Sequence, residues 1–344
     1  MTVLRSLLRI RDNDHAPYVS AFTERTGIGW HDKTPPQAVQ AAGSVSVVIP
    51  AYNAASTIAP VLTALHRQRT TADLEVIVVD DGSTDHTAEL VSEHPIPATV
   101  IRFEESHGIS QARNAGTAVA SGDVVLYLDS DIVLPAHAIH DIATRARDDC
   151  IFLGFRADVS YDDHQGGRRI PDAPAPIEAD ARAYWRKDRG RRLVRHTGEE
   201  IELPDETRML DATDDLIGLG FGRRYLIWTL VETILGHTLA VARERAIDVG
   251  GFHPGFRGWG CEDSHFGAKL IASGVKVVPL RQVVSYHLQP RDVRTHQRRK
   301  LAAWASNLAL YRRLLDEPFS SADGRRQFAR NASSVLRTAA YQKG

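Results

Sequence analysis

GDVVLYLDSDIVLP, residues 122–135, is the stretch whose reading decides the fold. Its first part, Val124 to Leu128, is a continuous apolar run of the length a fully buried strand takes. The run ends in two aspartates, Asp129 and Asp131, with Ser130 between them. In extended chain, residues two apart point the same way, which would turn both carboxylates toward one site. Buried strands of a parallel sheet present ligands beyond their carboxyl ends. Paired acidic groups there suit a hard divalent cation that also holds a phosphate. A D-x-D pair alone usually marks a solvated loop, so the flanking chain has to decide.

Upstream, strand patterns alternate with helix patterns. SVSVVIP (44–50) reads as a buried strand closed by Pro50, followed by AYNAAS, in which Asn53 or Ser56 can cap a helix with apolar positions Ile58, Val61, Leu62 and Leu65. LEVIVV (74–79) is a second strand running into DDGSTDHT, where Gly82 supplies a turn and Ser83, Thr84 or Asp85 can cap the next helix. ATVIRF (98–103) is a third strand, and HGISQARNAGTAVA is a glycine turn into a helix that leads back to Gly122. Such alternation predicts a mostly parallel sheet with helices on both faces. Downstream, PAHAIHDIATRARDD reads as a helix with Pro135 near its first turn, and CIFLGF as a strand. Residues 157–235 change character. Asp162 to Pro176 is rich in Gly, Pro and charge, and Arg186 to Arg195 is a basic run best read as a solvated helix face. GLGFG (218–222) lacks the preceding strand and full spacing of a dinucleotide fingerprint. Order returns with strand-like Thr238–Ala242, a short helix to Val249, a glycine- and aromatic-rich loop to Gly260, and a helix from Cys261 to Ser273 with Phe266, Leu270 and Ile271 on its core face. Val275–Val278 and Val283–Tyr286 suggest two further strands, and an amphipathic tail (Leu301, Trp304, Leu308, Leu310, Leu314) predicts packing helices.

Bulk numbers narrow the class. The chain has 344 residues, 43% hydrophobic and 25% charged, enough for one large α/β domain with additions or about two domains. Lys and Arg total 42 against 43 acidic residues, so nothing global calls for nucleic acid or an anionic membrane. Cys150 and Cys261 make no disulfide framework and fit a reducing cytoplasm. The N-terminal MTVLRSLLRIRDND has too short an apolar core for a signal peptide, and no apolar run nears the roughly 20 residues of a spanning helix. The expected protein is soluble and cytoplasmic, without an integral membrane segment. Its organisation reads as an extension (1–44), a main domain (45–290) and a helical tail (291–344).

Five motifs, in order, carry a resemblance: VSVVIPAYN, VIVVDDGSTD, GISQARNAG, DVVLYLDSD and GGFHPGFRGWGCEDSHF. Together they resemble the family-2 glycosyltransferases of GT-A fold, and the last resembles the C-terminal part of the galactosyltransferase and N-acetylgalactosaminyltransferase branches. The resemblance covers roughly residues 45–135 and 237–288. It implies a Rossmann-like, nucleotide-sugar-binding α/β domain: a nucleotide-binding half (45–135), an acceptor-side insertion (157–235) and a catalytic C-terminal half (236–290). The implied reaction is metal-dependent, inverting transfer of a sugar from a nucleotide-sugar, a UDP-sugar first, with Mn²⁺ or Mg²⁺ neutralising the diphosphate. By resemblance Asp131 is the more direct metal ligand, Asp129 lies nearer the ribose or a metal-bound water, and His287 in VVSYHLQ is a further ligand. Pro50, Ala51, Tyr52 and Asn53 would contact the base through backbone groups, Asp81 would receive the uracil imide, and Ser130 belongs to the same nucleotide set. Arg113 would reach nucleotide and diphosphate, with Gly108 permitting the turn before its helix.

In GWGCED, Gly258 and Gly260 allow close approach, Trp259 offers a flat surface for a sugar ring, Asp263 matches the family's base and Glu262 would hold hydroxyls. Ser264 stands where many relatives carry another acidic residue, which leaves acceptor preference open. The acceptor can be a glycan, a small natural product or a peptide, and oligomeric state is not legible. Two other classes, a nucleotidyltransferase and a catalytically silent nucleotide-sugar-binding protein, share the strand and D-x-D layout but do not account for GWGCED with every acidic position filled.

Overall fold

The computed structural model describes residues 2–342 apart from residue 12 and residues 166–169, 181–183, 187–192, 195–199, 202–205 and 209–229. The sheet strands are β1 (Ser44–Ala51), β2 (Asp73–Asp80), β3 (Thr99–Arg102), β4 (Val124–Leu128), β5 (Ile132–Val133), β6 (Cys150–Val159), β7 (Thr238–Ala242), β8 (Lys276–Leu288) and β9 (Ala340–Gln342). Among the described residues they form one nine-stranded sheet in the order β9-β3-β2-β1-β4-β7-β6-β8-β5. β3, β2, β1 and β4 run parallel. Beyond them β7 is antiparallel to both β4 and β6, β8 is parallel to β6, and β5 and β9 are antiparallel edges. The expected sheet is therefore parallel through its first half and mixed beyond it. The order reverses between β1 and β4, which opens a crevice at their carboxyl ends.

Period-2 alternation distributes the strand residues to two apolar layers. Val48, Val125 and Tyr127 face one layer, while Val47, Ile49, Leu126 and Leu128 face the other. The first layer is closed by α5 (Ile109–Val119), α8 (Arg243–Asp248), α9 (Glu262–Ala272), α10 (Val293–Leu315) and α11 (Ser321–Leu336), the second by α3 (Ile58–His66), α4 (Thr87–Ser92) and α6 (Ala138–Arg145). Phe266, Leu270 and Ile271 are the buried face of α9, as expected.

Three expectations need correction and one gains detail. The extension over the first 44 residues contains α1 (Leu4–Ile10) and α2 (Ala16–Thr26) and buries Leu4, Phe22 and Trp30. The buried Arg145 guanidinium fixes this arm, pairing with Asp141 at 2.9 Å and donating to the carbonyls of Trp30 and Asp32. The two strands expected near 275–286 are one strand, β8, with a register irregularity between Pro279 and Val284. Proline cannot donate to the ladder, so the strand slips there instead of ending. The residues proposed as helix caps also differ, since α3 begins after Thr57 with no side-chain cap, although the Asp85 carboxylate does accept from the Thr87 amide at the start of α4. Finally, Leu301 in the tail faces solvent, whereas Trp304, Leu308, Leu310 and Leu314 of the same pattern pack inward as expected.

In the 157–235 stretch, α7 (Tyr161–Gln165) is tied to the β1–α3 loop by Gln165 donating to the Ser56 carbonyl. The Ala175 amide bonds the Val284 carbonyl, so this end of the Gly- and Pro-rich piece is packed. Most of the basic run from Arg186 to Arg195, and all of 218–222, lie outside the described residues.

Candidate active site

The nucleotide end is built by lacing two motifs together. The Asp81 amide donates to the Ala51 carbonyl, the Asn53 amide to Ser83 Oγ, and the Thr84 amide to Asn53 Oδ1. The Ala54 and Ala55 amides find Thr87 Oγ1 and Asp85 Oδ2. Asn53 takes a left-handed backbone (φ 51°), a conformation asparagine tolerates better than most residues. Pro50 and Ala51 are buried as the last residues of β1, and Tyr52 stands 55% exposed at the rim. Asp81 is buried, and its carboxylate accepts from Ser106 Oγ and from the amides of His107 and Gly108. It therefore organises the β3–α5 loop first; a carboxylate has lone-pair sites left for one more donor. Gly108 has φ 88°, which a side chain would strain.

The two aspartates after β4 do not sit in extended chain. Residues 129–131 form a turn, with the Ile132 amide donating to the Asp129 carbonyl, so the carboxylates diverge to different partners. Asp131 meets His287, Oδ2 to Nε2 at 3.3 Å. Pairing of β5 with β8 explains this, since His287 lies opposite Ile132 and the Leu288 amide bonds the Asp131 carbonyl. The other ring nitrogen of His287 lies 2.8 Å from Asp158 Oδ1. Burial disfavours the imidazolium, but the bonds to Asp131 and Asp158 outweigh it and raise the His287 pKa above the ordinary value.

This donor set fits a divalent cation. Adjacent ligands of one octahedral ion, each bonded at about 2.1 Å, lie about 3 Å apart, near the Asp131–His287 separation. A carboxylate on the far nitrogen of a metal-binding histidine fixes its tautomer and aims the other lone pair. Among the described residues no group of three His, Cys, Asp or Glu side chains converges. Remaining coordination would thus fall to phosphate oxygens and water.

Asp129 belongs to the other half of the site. Arg113 Nη2 donates to Asp129 Oδ1 at 2.9 Å, and Nη1 to Glu262 Oε1 at 3.2 Å. Arg113 is 1% exposed, with its guanidinium 5.0 Å from the Phe252 ring centroid. Both terminal nitrogens of Arg113 are thus bonded to carboxylates beneath the site, while its Nε has no partner among the described residues. Burial works against its charge, and Asp129 and Glu262 more than offset that. Glu262 is buried, and its pKa is raised by burial and by the neighbouring Asp263 charge despite Arg113. Its Oε2 has no partner among the described residues. Asp263 is partly exposed and accepts from the Gly236 amide at 3.1 Å and the Ser264 amide at 2.7 Å. The next carbonyl, of His237, accepts from the Asp129 amide, so the turn Gly236–His237 joins the strand-end aspartate to the helix-start acid. Sequence reading missed this turn, which carries no motif. Its signal is steric: a Cβ at Gly236 would overlap the Arg113 guanidinium.

Trp259 is 47% exposed on the loop between α8 and α9. Gly258 and Gly260 have φ of 69° and 102°, and α10 packs directly on them. A Cβ at Gly258 would lie 2.7 Å from Ala303 Cβ, and one at Gly260 3.1 Å from the Trp304 ring. Asn307, on the same face, donates to the carbonyls of Arg257 and Trp259. The tail is thus a wall of the site. This arrangement can hold a cation at one end and offer a partly solvated carboxylate at the other, with one buried arginine between them.

Comparison with known proteins agrees with this architecture. Residues 46–203 match the glycosyl transferase family 2 model, and residues 227–289 match the model described as the N-terminal domain of galactosyltransferase. Validoxylamine A glucosyltransferase of Streptomyces hygroscopicus subsp. jinggangensis is 28% identical over 264 residues, covering 74% of this chain and 57% of its own. The chain thus spans little more than half the length of that relative. Among solved structures, GalNAc-T7 with UDP, GalNAc and Mn²⁺ superposes with a TM-score of 0.51 at 19% identity, over 73% of this chain and 44% of that one. Staphylococcus aureus TarS 1-349 in complex with UDP-GlcNAc gives 0.50 at 18% identity, over 86% and 74%. These likenesses show the fold.

Proposed function

We propose, from the match of residues 46–203 to the glycosyl transferase family 2 model and the geometry of the site, a metal-dependent, inverting glycosyltransferase that moves a sugar from a nucleotide-sugar, a UDP-sugar first, to an acceptor hydroxyl. The observation that carries the reading is the Arg113 bridge: one buried guanidinium joins Asp129 at the strand end to Glu262 at the start of α9. Donor-side and acceptor-side acids are thereby parts of one site. The nucleotide would lie on Tyr52, Asn53 and the Asp81 turn, with Ser130 beside it. Asp131 and His287 would hold Mn²⁺ or Mg²⁺, which when bound neutralises phosphate charge. Asp263 would take the acceptor proton as the acceptor oxygen bonds the anomeric carbon. As that bond forms, the bond to the diphosphate oxygen breaks through an oxocarbenium-like transition state, and its electron pair leaves with the nucleoside diphosphate. Glu262, whose buried second oxygen is free among the described residues, would orient hydroxyls, and Trp259 would stack on a sugar ring. Gly236 to Pro290 would form the catalytic half, and the described part of 157–235 the acceptor flank. The acceptor would be a glycan, a small natural product or a peptide. No described helix is long and apolar enough to cross a membrane; a cytoplasmic setting rests on the two free, buried cysteines.

Metal dependence is directly testable. Chelation by EDTA is expected to abolish release of nucleoside diphosphate from a nucleotide-sugar panel, and Mn²⁺ or Mg²⁺ to restore it. Asp131→Asn should weaken Mn²⁺ binding, read by calorimetry, by roughly ten-fold or more. Full activity of that variant in chelator would sink the assignment.

A further inference from the structure

α10 brings to the site a charge that the motifs do not contain. Its N-terminus is set by Asp292, whose carboxylate accepts from the Thr295 amide at 2.9 Å. From there residues 300, 303, 304 and 307 fall on one helical face by their spacing. Ala303, Trp304 and Asn307 press on the Gly258–Gly260 loop, and Lys300 continues that face one turn toward the helix N-terminus. Lys300 Nζ lies 5.6 Å from the Trp259 ring centroid, and Asp131, Asp129 and Asp158 act on its charge. Burial lowers its pKa against the pull of those carboxylates. The amine is thus half-buried between the acceptor-side tryptophan and the pair assigned to the metal.

We propose that Lys300 is the cation that meets the diphosphate of the nucleotide-sugar donor; this rests on the donor reading above. As the glycosidic bond breaks, the leaving diphosphate gains a negative charge. A preplaced cation favours that step. Arg113 does not serve in this arrangement, because it is 1% exposed and both its terminal nitrogens face Asp129 and Glu262. A lysine on a flexible four-carbon stem does, since it can leave the carboxylates for a phosphate oxygen without moving the helix.

The test is calorimetric titration, with Mn²⁺ present, of UDP against UMP and of GDP against GMP, for wild type, Lys300→Gln, Lys300→Arg and Leu301→Ala. Loss of one charge-assisted bond should weaken the diphosphate by roughly 10- to 100-fold in Lys300→Gln with a much smaller change for the monophosphate. Lys300→Arg should recover most of the loss, and Leu301→Ala, which faces solvent, should match wild type. If Lys300→Gln keeps the wild-type preference for diphosphate, with or without a lower melting temperature, the lysine serves only to balance the carboxylates and the inference falls. Wild type that binds none of the four nucleotides overturns the donor reading itself, and this inference with it.

Discussion

Asp263→Asn is expected to lower the transfer rate by about 10²–10⁴-fold, the contribution of a well-placed general base, while nucleotide and metal binding stay at wild-type strength. The separation of effects follows from geometry. Asp263 accepts from the Gly236 and Ser264 amides and stands at the N-terminus of α9, where partial positive charge favours the ionised, proton-accepting form. Asparagine retains a carbonyl oxygen for the Gly236 amide, so the turn that supports Asp129 survives, but it cannot take a proton. Steady-state kinetics beside calorimetric titration of nucleoside diphosphate would check this. A near-normal rate, or equal losses in binding and turnover, would remove Asp263 from the role of base.

The second large effect concerns stability. Arg113→Met should destabilise the fold by about 3–5 kcal/mol, the usual cost of removing one member of a buried ion pair. The reason is what remains behind: Asp129 and Glu262 face each other's charge without the guanidinium, in a site closed by Phe252. Adding Glu262→Gln to Arg113→Met should therefore cost less than the sum of the single changes. Denaturant unfolding of the four members of the cycle measures it. Strict additivity would mean that the bridge carries no coupling, and the two halves of the site would then be held by backbone alone.

The sequence made legible what depends on local chemistry. The strand runs read to Pro50, Val79 and Leu128 end within one residue of those positions, because parallel strands buried on both faces are continuous apolar runs. GWGCED opens a helix as its acidic start predicts. Less local features were hidden. The turn at Asp129–Asp131 replaces the extended geometry because β5 must fold back beside β8. Arg113 looks like a surface helix residue, yet nearly all of α5 is buried, polar members included, because the late loop lies across it through the Asn114–Phe252 pair of hydrogen bonds. The apolar pattern found most of the inward face of α10, Trp304, Leu308 and Leu314 among it, but not Ala303 and Asn307, which meet a glycine loop where a small residue and an amide fit. Leu4, Phe22 and Trp30 are too far apart to show any period, although each is buried. Arg291–Leu315 read as a tail, whereas Lys300 and Asn307 are among the residues that shape the site.

The central claim is that Asp263 and the diphosphate act from opposite faces of the anomeric carbon. The most direct measurement is the anomeric configuration of the first product formed from an α-linked UDP-sugar by the wild-type protein, read from its anomeric proton coupling by NMR. The geometry proposed here predicts a β-linked product; an α-linked product would contradict it.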